Sequence, residues 1–178
     1  ANTFHHEWVL DDYGSFKLNI YVTAGTDGYH DILTKTYRHG SGFYTDNLYR
    51  PLSQLMFATE WQLSPDNPGL YHAISVFYYA LACTLLFFFL RRLLKKYNLW
   101  IPFFIALLFA AHPIHTEVVA NIKSRDEIMC FLFVTLTLYL SLLYVDKQKV
   151  YLLPLVFISF LLAMFSKESA ITTLALLP

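Results

Sequence analysis

Two long apolar runs constrain this chain more than any other feature of its sequence. Residues 81–90 are almost wholly apolar and, with their flanks, form a run from residue 70 to residue 94, and a second run covers residues 128–145. With its flanks, each run is long enough to cross a hydrocarbon core of about 30 Å. Charged residues make up 15% of the chain, whereas soluble domains contain about 25%. The sequence therefore predicts a membrane protein.

The whole chain is predicted to be an all-α polytopic membrane protein. Residues 1–68 are polar and mixed and are predicted to form a loop domain outside the cytoplasm, with an amphipathic helix starting at Pro51 that lies on the membrane surface. Its apolar face would carry Leu52, Leu55, Met56 and Thr59. Residues 69–178 are predicted to form transmembrane helices at about 70–94, 99–118, 127–145 and 151–166, with another starting at 170.

The basic residues predict the orientation of these helices. Short loops rich in Lys and Arg stay on the cytoplasmic side. The cluster at 91–96 and the pair Lys147 and Lys149 are separated by two crossings, so they fall on one side. Residues 1–68, 112–127 and 166–168 then face the opposite compartment. We expect these three polar segments to meet at one surface.

Two observations predict a recessed, wet cavity at that surface. The apolar run 100–111 spans only about 18 Å, so His112 and His115 would begin below the interface. Lys167 and Glu168 lie between two apolar stretches, and a charge at the bilayer centre costs about 2.5 to 3.5 kcal/mol. Polar groups at that depth are tolerated where protein or water surrounds them.

Composition and cysteine placement exclude other classes of protein. Thirteen basic and thirteen acidic residues give no net charge, so the chain lacks the electropositive surface that nucleic acids require. Cys83 and Cys130 lie inside apolar runs and are predicted to be apolar filler rather than a disulfide framework or a zinc site.

Two polar clusters are candidates for chemistry. Asp11 and Asp12 follow an apolar stretch, where desolvation would suit a general base, although for the pair alone a solvated turn or a helix cap is the favoured interpretation. His112 and His115 lie three residues apart, but Glu117 does not complete the His-Glu-x-x-His zinc pattern. Hydrogen bonding to a phosphate or sugar is the favoured role of this second cluster, with helix capping as the alternative.

Cations that could hold a phosphate lie near the same segments. Arg125 could bind a phosphate through two nitrogens or pair with Asp126 or Glu127. Arg50 precedes Pro51, and the ionisable pair Lys167 and Glu168 lies in an apolar region, where such groups mark functional sites.

Together these strings resemble a known family of enzymes. The strings, in chain order, are Leu10-Asp11-Asp12, Tyr49-Arg50-Pro51-Leu52-Ser53, Tyr71-His72, His112-Pro113-Ile114-His115-Thr116-Glu117-Val118-Val119, Ser124-Arg125-Asp126-Glu127 and Ser166-Lys167-Glu168-Ser169-Ala170-Ile171-Thr172. Their order and spacing resemble the transmembrane and tetratricopeptide-repeat O-mannosyltransferases and their bacterial relatives, within the GT-C superfamily of membrane glycosyltransferases.

The resemblance implies transfer of a sugar from a polyprenyl-phosphate carrier to a protein, glycan or lipid acceptor on the periplasmic or luminal side. It implies a catalytic acidic motif at Asp11 and Asp12, with Asp11 favoured. It also implies a site lined by residues of three segments: Arg50, His112, His115, Glu117, Arg125, Glu127, Lys167 and Glu168. Many members have Gly-Arg-Ala and then an acid where this chain has Ser124-Arg125-Asp126-Glu127, and Glu127 is taken as the equivalent acid.

Several alternatives stay open at this level. A non-catalytic membrane subunit that retains the GT-C fold would keep the same helices, and the sequence does not decide whether a divalent metal ion assists or whether the chain joins a membrane complex. The chain is expected to be a piece of a longer protein that also carries tetratricopeptide repeats, and to be inactive alone. Because it contains no Asn-x-Ser/Thr sequon, the bacterial inner membrane is favoured over the endoplasmic reticulum.

Overall fold

The first part of the chain is built from short helical elements. The computed structural model describes residues 8, 12–42 and 47–177, and within these ranges it contains no β-strand. A π-helical turn comes first, and 3-10 turns alternate with α1 and α2 before the longer helix α3. In chain order the elements are Tyr13–Lys17 (π), Ile20–Thr23 (α1), Gly25–Gly28 (3-10), Tyr29–Thr34 (α2), His39–Ser41 (3-10) and Pro51–Leu63 (α3).

The second part consists of longer, mostly apolar helices. They are Pro68–Leu93 (α4), Trp100–Ala111 (α5), His115–Ala120 (α6), Arg125–Lys147 (α7) and Leu152–Ser166 (α8), with 3-10 segments at Ile122–Ser124 and Glu168–Leu176. Proline occupies the first helical positions of α3 and α4, where its missing N–H costs nothing. The predicted all-α fold class is therefore confirmed for the described residues.

Two segments of the described chain are long and apolar enough to cross a membrane. Pro68–Leu93 and Ile122–Lys147 have mean hydropathies of 2.2 and 2.3, and only 11% and 39% of their most apolar windows are buried inside the protein. The helices α5 and α8 are apolar but shorter. Most residues of α4 are therefore apolar and only partly covered by the rest of the chain, which is typical of a helix that faces lipid on one side.

The helix predicted at 99–118 is two helices with a break between them. Residue His112 ends α5 in an extended conformation (φ −68°, ψ 128°), and α6 starts at His115. Pro113 explains the break, because the residue before a proline is pushed away from helical angles. The Nδ1 atom of His112 accepts a hydrogen bond from the N–H of Ile114 (3.2 Å) and so stabilises the turn.

A second difference from the predicted elements follows α8. Lys167 is extended (φ −160°, ψ 136°) and ends α8 at Ser166. The chain then continues as the 3-10 segment Glu168–Leu176, where the sequence predicted the start of an α-helix at 170. The extended Lys167 turns its side chain and that of Glu168 toward the ends of the neighbouring helices, as their ion pairs show.

The central helix of the second part is α7. It packs against both α4 and α8, and α5 packs against α4. Within the apolar region, the hydroxyl of Thr137 on α7 donates to the hydroxyl of Ser159 on α8 (2.9 Å). At the C-terminal end of α7, Asp146 pairs with Arg92 at the end of α4 (2.7 Å). The basic residues of α4 thus lie beside the last turn of α7.

An aromatic core joins the first part of the chain to the helices. The ring of Phe16 stacks on Phe57 of α3 with centroids 4.7 Å apart, and Trp8 contacts Tyr71 of α4 edge-on at 5.1 Å. Ile122, which precedes α7, belongs to the same buried cluster. Residues far apart in sequence therefore share one core at the N-terminal ends of α4 and α7.

The helix predicted from Pro51 is present as α3, but its buried face differs from the predicted apolar face. Its fully buried side carries polar as well as apolar residues, namely Pro51, Ser53, Gln54, Phe57, Ala58 and Glu60. Leu52, Leu55 and Met56 are half-buried, and Thr59 is exposed. Burial of this polar face requires a hydrogen-bond or ion-pair partner for each polar group.

Candidate functional site

A buried arginine joins the three polar segments of the chain. The Arg50 guanidinium donates through Nη1 to Oδ2 of Asp126 (2.6 Å), and through Nη2 and Nε to the two carboxylate oxygens of Glu168 (2.5 and 2.9 Å). Arg50 precedes α3, Asp126 lies in the first turn of α7, and Glu168 follows α8. We call these three residues the Arg50 junction. It brings the ends of three helices to one place.

The Arg50 junction is mostly shielded from water. Arg50 is 6% exposed and Asp126 is fully buried, so each would be costly to bury without the other. The second oxygen of Asp126 accepts the N–H of Glu127 (2.8 Å). Glu168 is the accessible member, and the hydrogen bonds from Arg50 hold the pKa of its carboxyl below the usual range.

Arg125 forms a second buried ion pair beside the Arg50 junction. It is fully buried and pairs with Glu60 of α3, while its Nε donates to the hydroxyl of Ser75 (3.1 Å) and its Nη2 to the carbonyl of Tyr71 (2.7 Å). Its guanidinium also lies 4.8 Å from the ring centre of Phe57. Burial raises the pKa of Glu60, and Arg125 opposes that rise. Arg125 is therefore engaged with the protein on every side.

A third ion pair of the site is partly exposed. Lys167 and Glu127 form an ion pair, and their side chains are 20% and 45% exposed. Glu127 follows Asp126 in the first turn of α7, and Lys167 precedes Glu168. Asp126 is therefore buried and Glu168 is bound by Arg50, whereas the Lys167–Glu127 pair faces outward.

Asp12 anchors the first part of the chain to the segment before α7. Its carboxylate is fully buried, and Oδ1 accepts the N–H of Lys123 (2.9 Å) in the 3-10 turn Ile122–Ser124. This long-range contact is not a local helix cap, because the N-cap of Ile122–Ser124 is Asn121 and the Asp12 side chain makes no cap hydrogen bond to the π turn that follows it. Asp11, the favoured catalytic residue, lies outside the described residues.

The histidines occupy a separate group of contacts. Nδ1 of His115 lies 2.8 Å from the carbonyl of Phe109 and 3.1 Å from the hydroxyl of Tyr79, and the rings of His112 and His115 are 5.9 Å apart. A carbonyl only accepts, so His115 carries its proton on Nδ1. His112 is exposed, as is Glu117 on α6. Among the described residues, no hydrogen bond or ion pair links these three to the Arg50 junction, and no three His, Cys, Asp or Glu side chains are grouped to hold a metal ion.

The residues that sequence reasoning missed are the partners of the two buried arginines. Asp126, rather than Glu127, pairs with Arg50, and Glu60 and Ser75 were not identified at all. The spacing of Ser53, Phe57 and Glu60 puts them on one face of α3, but a polar residue on that face signals burial only once its partner is known.

Comparisons with known proteins identify relatives of the family that the sequence strings resemble. The chain is 34% identical over 140 residues to Protein O-mannosyl-transferase TMTC2 of Homo sapiens, which covers 77% of this chain and 16% of that protein. It is 34% identical over 131 residues to Protein O-mannosyl-transferase TMTC1 of Homo sapiens (71% and 15%), and 31% identical over 133 residues to Protein O-mannosyl-transferase F38B6.6 of Caenorhabditis elegans (71% and 19%). This chain is a homologue of these O-mannosyl-transferases. No family model and no solved structure matches it.

The homology confirms the family resemblance drawn from the sequence strings. The chain spans about 16% of the length of the human TMTC2 protein. The relatives named here are animal O-mannosyl-transferases, and they lend no support to the bacterial inner membrane that the missing sequons favoured.

Removing one partner of the buried Arg125 pair should be strongly destabilising. Arg125→Met in the full-length protein leaves the Glu60 carboxylate buried without a countercharge, which costs about 3–5 kcal/mol of unfolding free energy. Thermal unfolding in detergent measures the loss, and the double variant Arg125→Met with Glu60→Gln should recover part of it. Lys95→Ala, which breaks an exposed pair with Asp146, is the matched control and should change the unfolding temperature little. Equal effects of Arg125→Met and Lys95→Ala would contradict the buried pair.

The Arg50–Glu168 pairing predicts a specific loss of stability in acid. Since the folded-state pKa of Glu168 is lowered, its pairing stabilises the protein above the unfolded pKa of about 4.3 and is lost as the pH falls through the folded pKa. The melting temperature of the wild type should therefore fall more steeply below pH 5 than that of Glu168→Gln. Parallel pH profiles for the two proteins would show that Glu168 does not pair in solution.

Proposed function

We propose that the full-length protein is a membrane glycosyltransferase of the GT-C type that transfers mannose from a polyprenyl-phosphate carrier to an acceptor hydroxyl. The names of its relatives as O-mannosyl-transferases support the reaction class. The two long apolar helices support a membrane location. Because those relatives are animal proteins, we place the reaction at the luminal face of the endoplasmic reticulum, with a secretory protein as the acceptor.

The observation that carries this proposal is the convergence of charged groups at one end of the apolar helices. Arg50, Asp126 and Glu168 come from three segments and meet beside the start of α7. The partly exposed pair of Lys167 and Glu127 comes from the neighbouring positions in sequence. A polyprenyl-phosphate sugar has an apolar tail, an anionic phosphate and a polar sugar, so it needs a lipid-facing helix, a cation and hydrogen-bonding acids at neighbouring positions.

In the proposed reaction, the acceptor oxygen forms a bond to the anomeric carbon as the bond from that carbon to the phosphate oxygen breaks. The electron pair of the broken bond leaves with the polyprenyl phosphate, and the hydroxyl proton passes to the carboxylate of Asp11. Asp12, the second member of the acidic motif, accepts a hydrogen bond from the N–H of Lys123, two residues before Arg125.

The cations of the site divide into two roles under this proposal. Lys167 is partly exposed, so it can neutralise the leaving phosphate, as preorganised cations do in other transferases. Arg125 is fully buried and Arg50 nearly so, and both are engaged with protein groups. We assign Arg50 and Arg125 to positioning, since they hold the segments that carry Lys167, Glu127 and the acidic motif.

Replacing the proposed base should stop transfer without unfolding the protein. We expect Asp11→Asn in the full-length protein to lower kcat by about 10²- to 10⁴-fold, the usual contribution of a general base, with unchanged thermal unfolding. Transfer of labelled mannose from a polyprenyl-phosphate donor to a protein acceptor in reconstituted membranes measures the loss. Asp27→Asn, at an exposed acid of the same segment, is the matched control and should keep full activity. Unimpaired turnover by Asp11→Asn would discard the assignment.

A non-catalytic membrane subunit is the second candidate. It is favoured by one observation: most charged groups of the site pair with each other and are buried, which suits a purely structural role. The two candidates differ in one reaction product. The wild-type full-length protein should release free polyprenyl phosphate from a labelled donor if it is the transferase, and release none if it is only a subunit.

A further inference from the structure

A cationic cavity lies at the opposite end of the helices from the Arg50 junction. It has a volume of about 380 Å³ and is formed where α4 and α7 end. Its lining combines three cations, one carboxylate and two aromatic rings: Phe88, Arg91, Arg92, Lys95, Tyr139 and Asp146. Asp126 and Asp146 lie near opposite ends of α7, so this cavity is distinct from the proposed transfer site.

The charges of this cavity are not balanced by the described residues. Asp146 accepts from Nη2 of Arg92 (2.7 Å) and from Nζ of Lys95 (3.3 Å), so a single carboxylate is shared by two cations. Nε of Arg92 is buried and has no hydrogen-bond acceptor in the described chain. Arg91 is exposed. Three cations against one carboxylate leave an excess positive charge and at least one unsatisfied donor, which is the chemistry that binds an anion.

The surroundings of the cavity indicate what kind of anion would enter it. Phe88 is 44% exposed beside the arginines, and Phe77 and Leu81 continue the exposed apolar surface of α4 toward its middle. A ligand seated here would meet cations at one end and a lipid-facing helix at the other. A free ion would use only the first of these features, whereas a phospholipid uses both.

We propose that this cavity binds the phosphate headgroup of an anionic phospholipid, with the acyl chains lying along α4. Arg91 donates to the phosphate, Arg92 and Lys95 add positive charge beside it, and Asp146 limits affinity because its carboxylate competes for the same cations. Juxtamembrane Lys and Arg residues attract the negatively charged headgroups of anionic lipids. This binding is additional to the donor site, because it lies at the other end of the apolar helices.

The test uses the full-length protein in a neutral detergent, titrated with phosphatidylglycerol while native mass spectrometry counts bound lipid. Arg91→Ala should weaken the Kd about fivefold, the equivalent of one lost cation at about 1 kcal/mol. Asp146→Asn should strengthen it several-fold, since it removes the competing carboxylate. Lys149→Ala, at an exposed cation that does not line the cavity, is the matched control and should change the Kd by less than about twofold.

Two further measurements distinguish an anionic phospholipid from other ligands. Phosphatidylcholine should bind at least tenfold more weakly than phosphatidylglycerol, and millimolar glycerol 3-phosphate or inorganic phosphate should not displace the lipid. The proposal is overturned if Lys149→Ala weakens binding as much as Arg91→Ala, because diffuse surface charge would then explain the affinity. Displacement by free phosphate would equally overturn it, and so would a weaker Kd for Asp146→Asn.

Discussion

The contact between Arg50 and its two carboxylates holds the rest of this structure in place. A guanidinium taken out of water needs countercharges and hydrogen-bond acceptors of matching geometry. Arg50 finds them on α7 and after α8, in Asp126 and Glu168. Because Asp126 and Glu168 lie 76 and 118 residues from Arg50 along the chain, this requirement fixes the relative positions of three distant segments. The ion pairs of Arg50 with Asp126 and Glu168 hold the polar segments together at one site.

The apolar helices explain why these ion pairs lie at the helix ends. Apolar helices side by side gain little orientation from hydrophobic contacts in lipid, so polar contacts at their ends contribute much of the specificity. Here α3 supplies a polar buried face to the ends of α4 and α7, and Arg125 with Glu60 completes it. At the other end, Asp146 with Arg92 and Lys95 plays a similar but more exposed part. Each end of the bundle thus carries its own ionic contact.

The sequence predicted the features that depend on local composition. Run length identified the two long apolar helices, and the charge pattern anticipated that segments near Arg50, Arg125 and Glu168 belong together. It did not predict which acid each arginine binds. Glu127 and Asp126 are neighbours in sequence, but the start of α7 turns Asp126 inward to Arg50 and leaves Glu127 exposed beside Lys167. Helical phase decides that choice, and the phase follows from packing rather than from composition.

A double-mutant cycle on Arg50 and Asp126 tests the central claim most directly. The unfolding free energies of Arg50→Ala, Asp126→Ala and the double variant in the full-length protein give the coupling energy of the pair. Contacting charged groups in one network couple by about 0.5–3 kcal/mol, and a nearly buried pair with a 2.6 Å contact should reach about 2 kcal/mol at the upper part of that range. Additive effects, with coupling under about 0.5 kcal/mol, would show that the segments do not meet through this arginine.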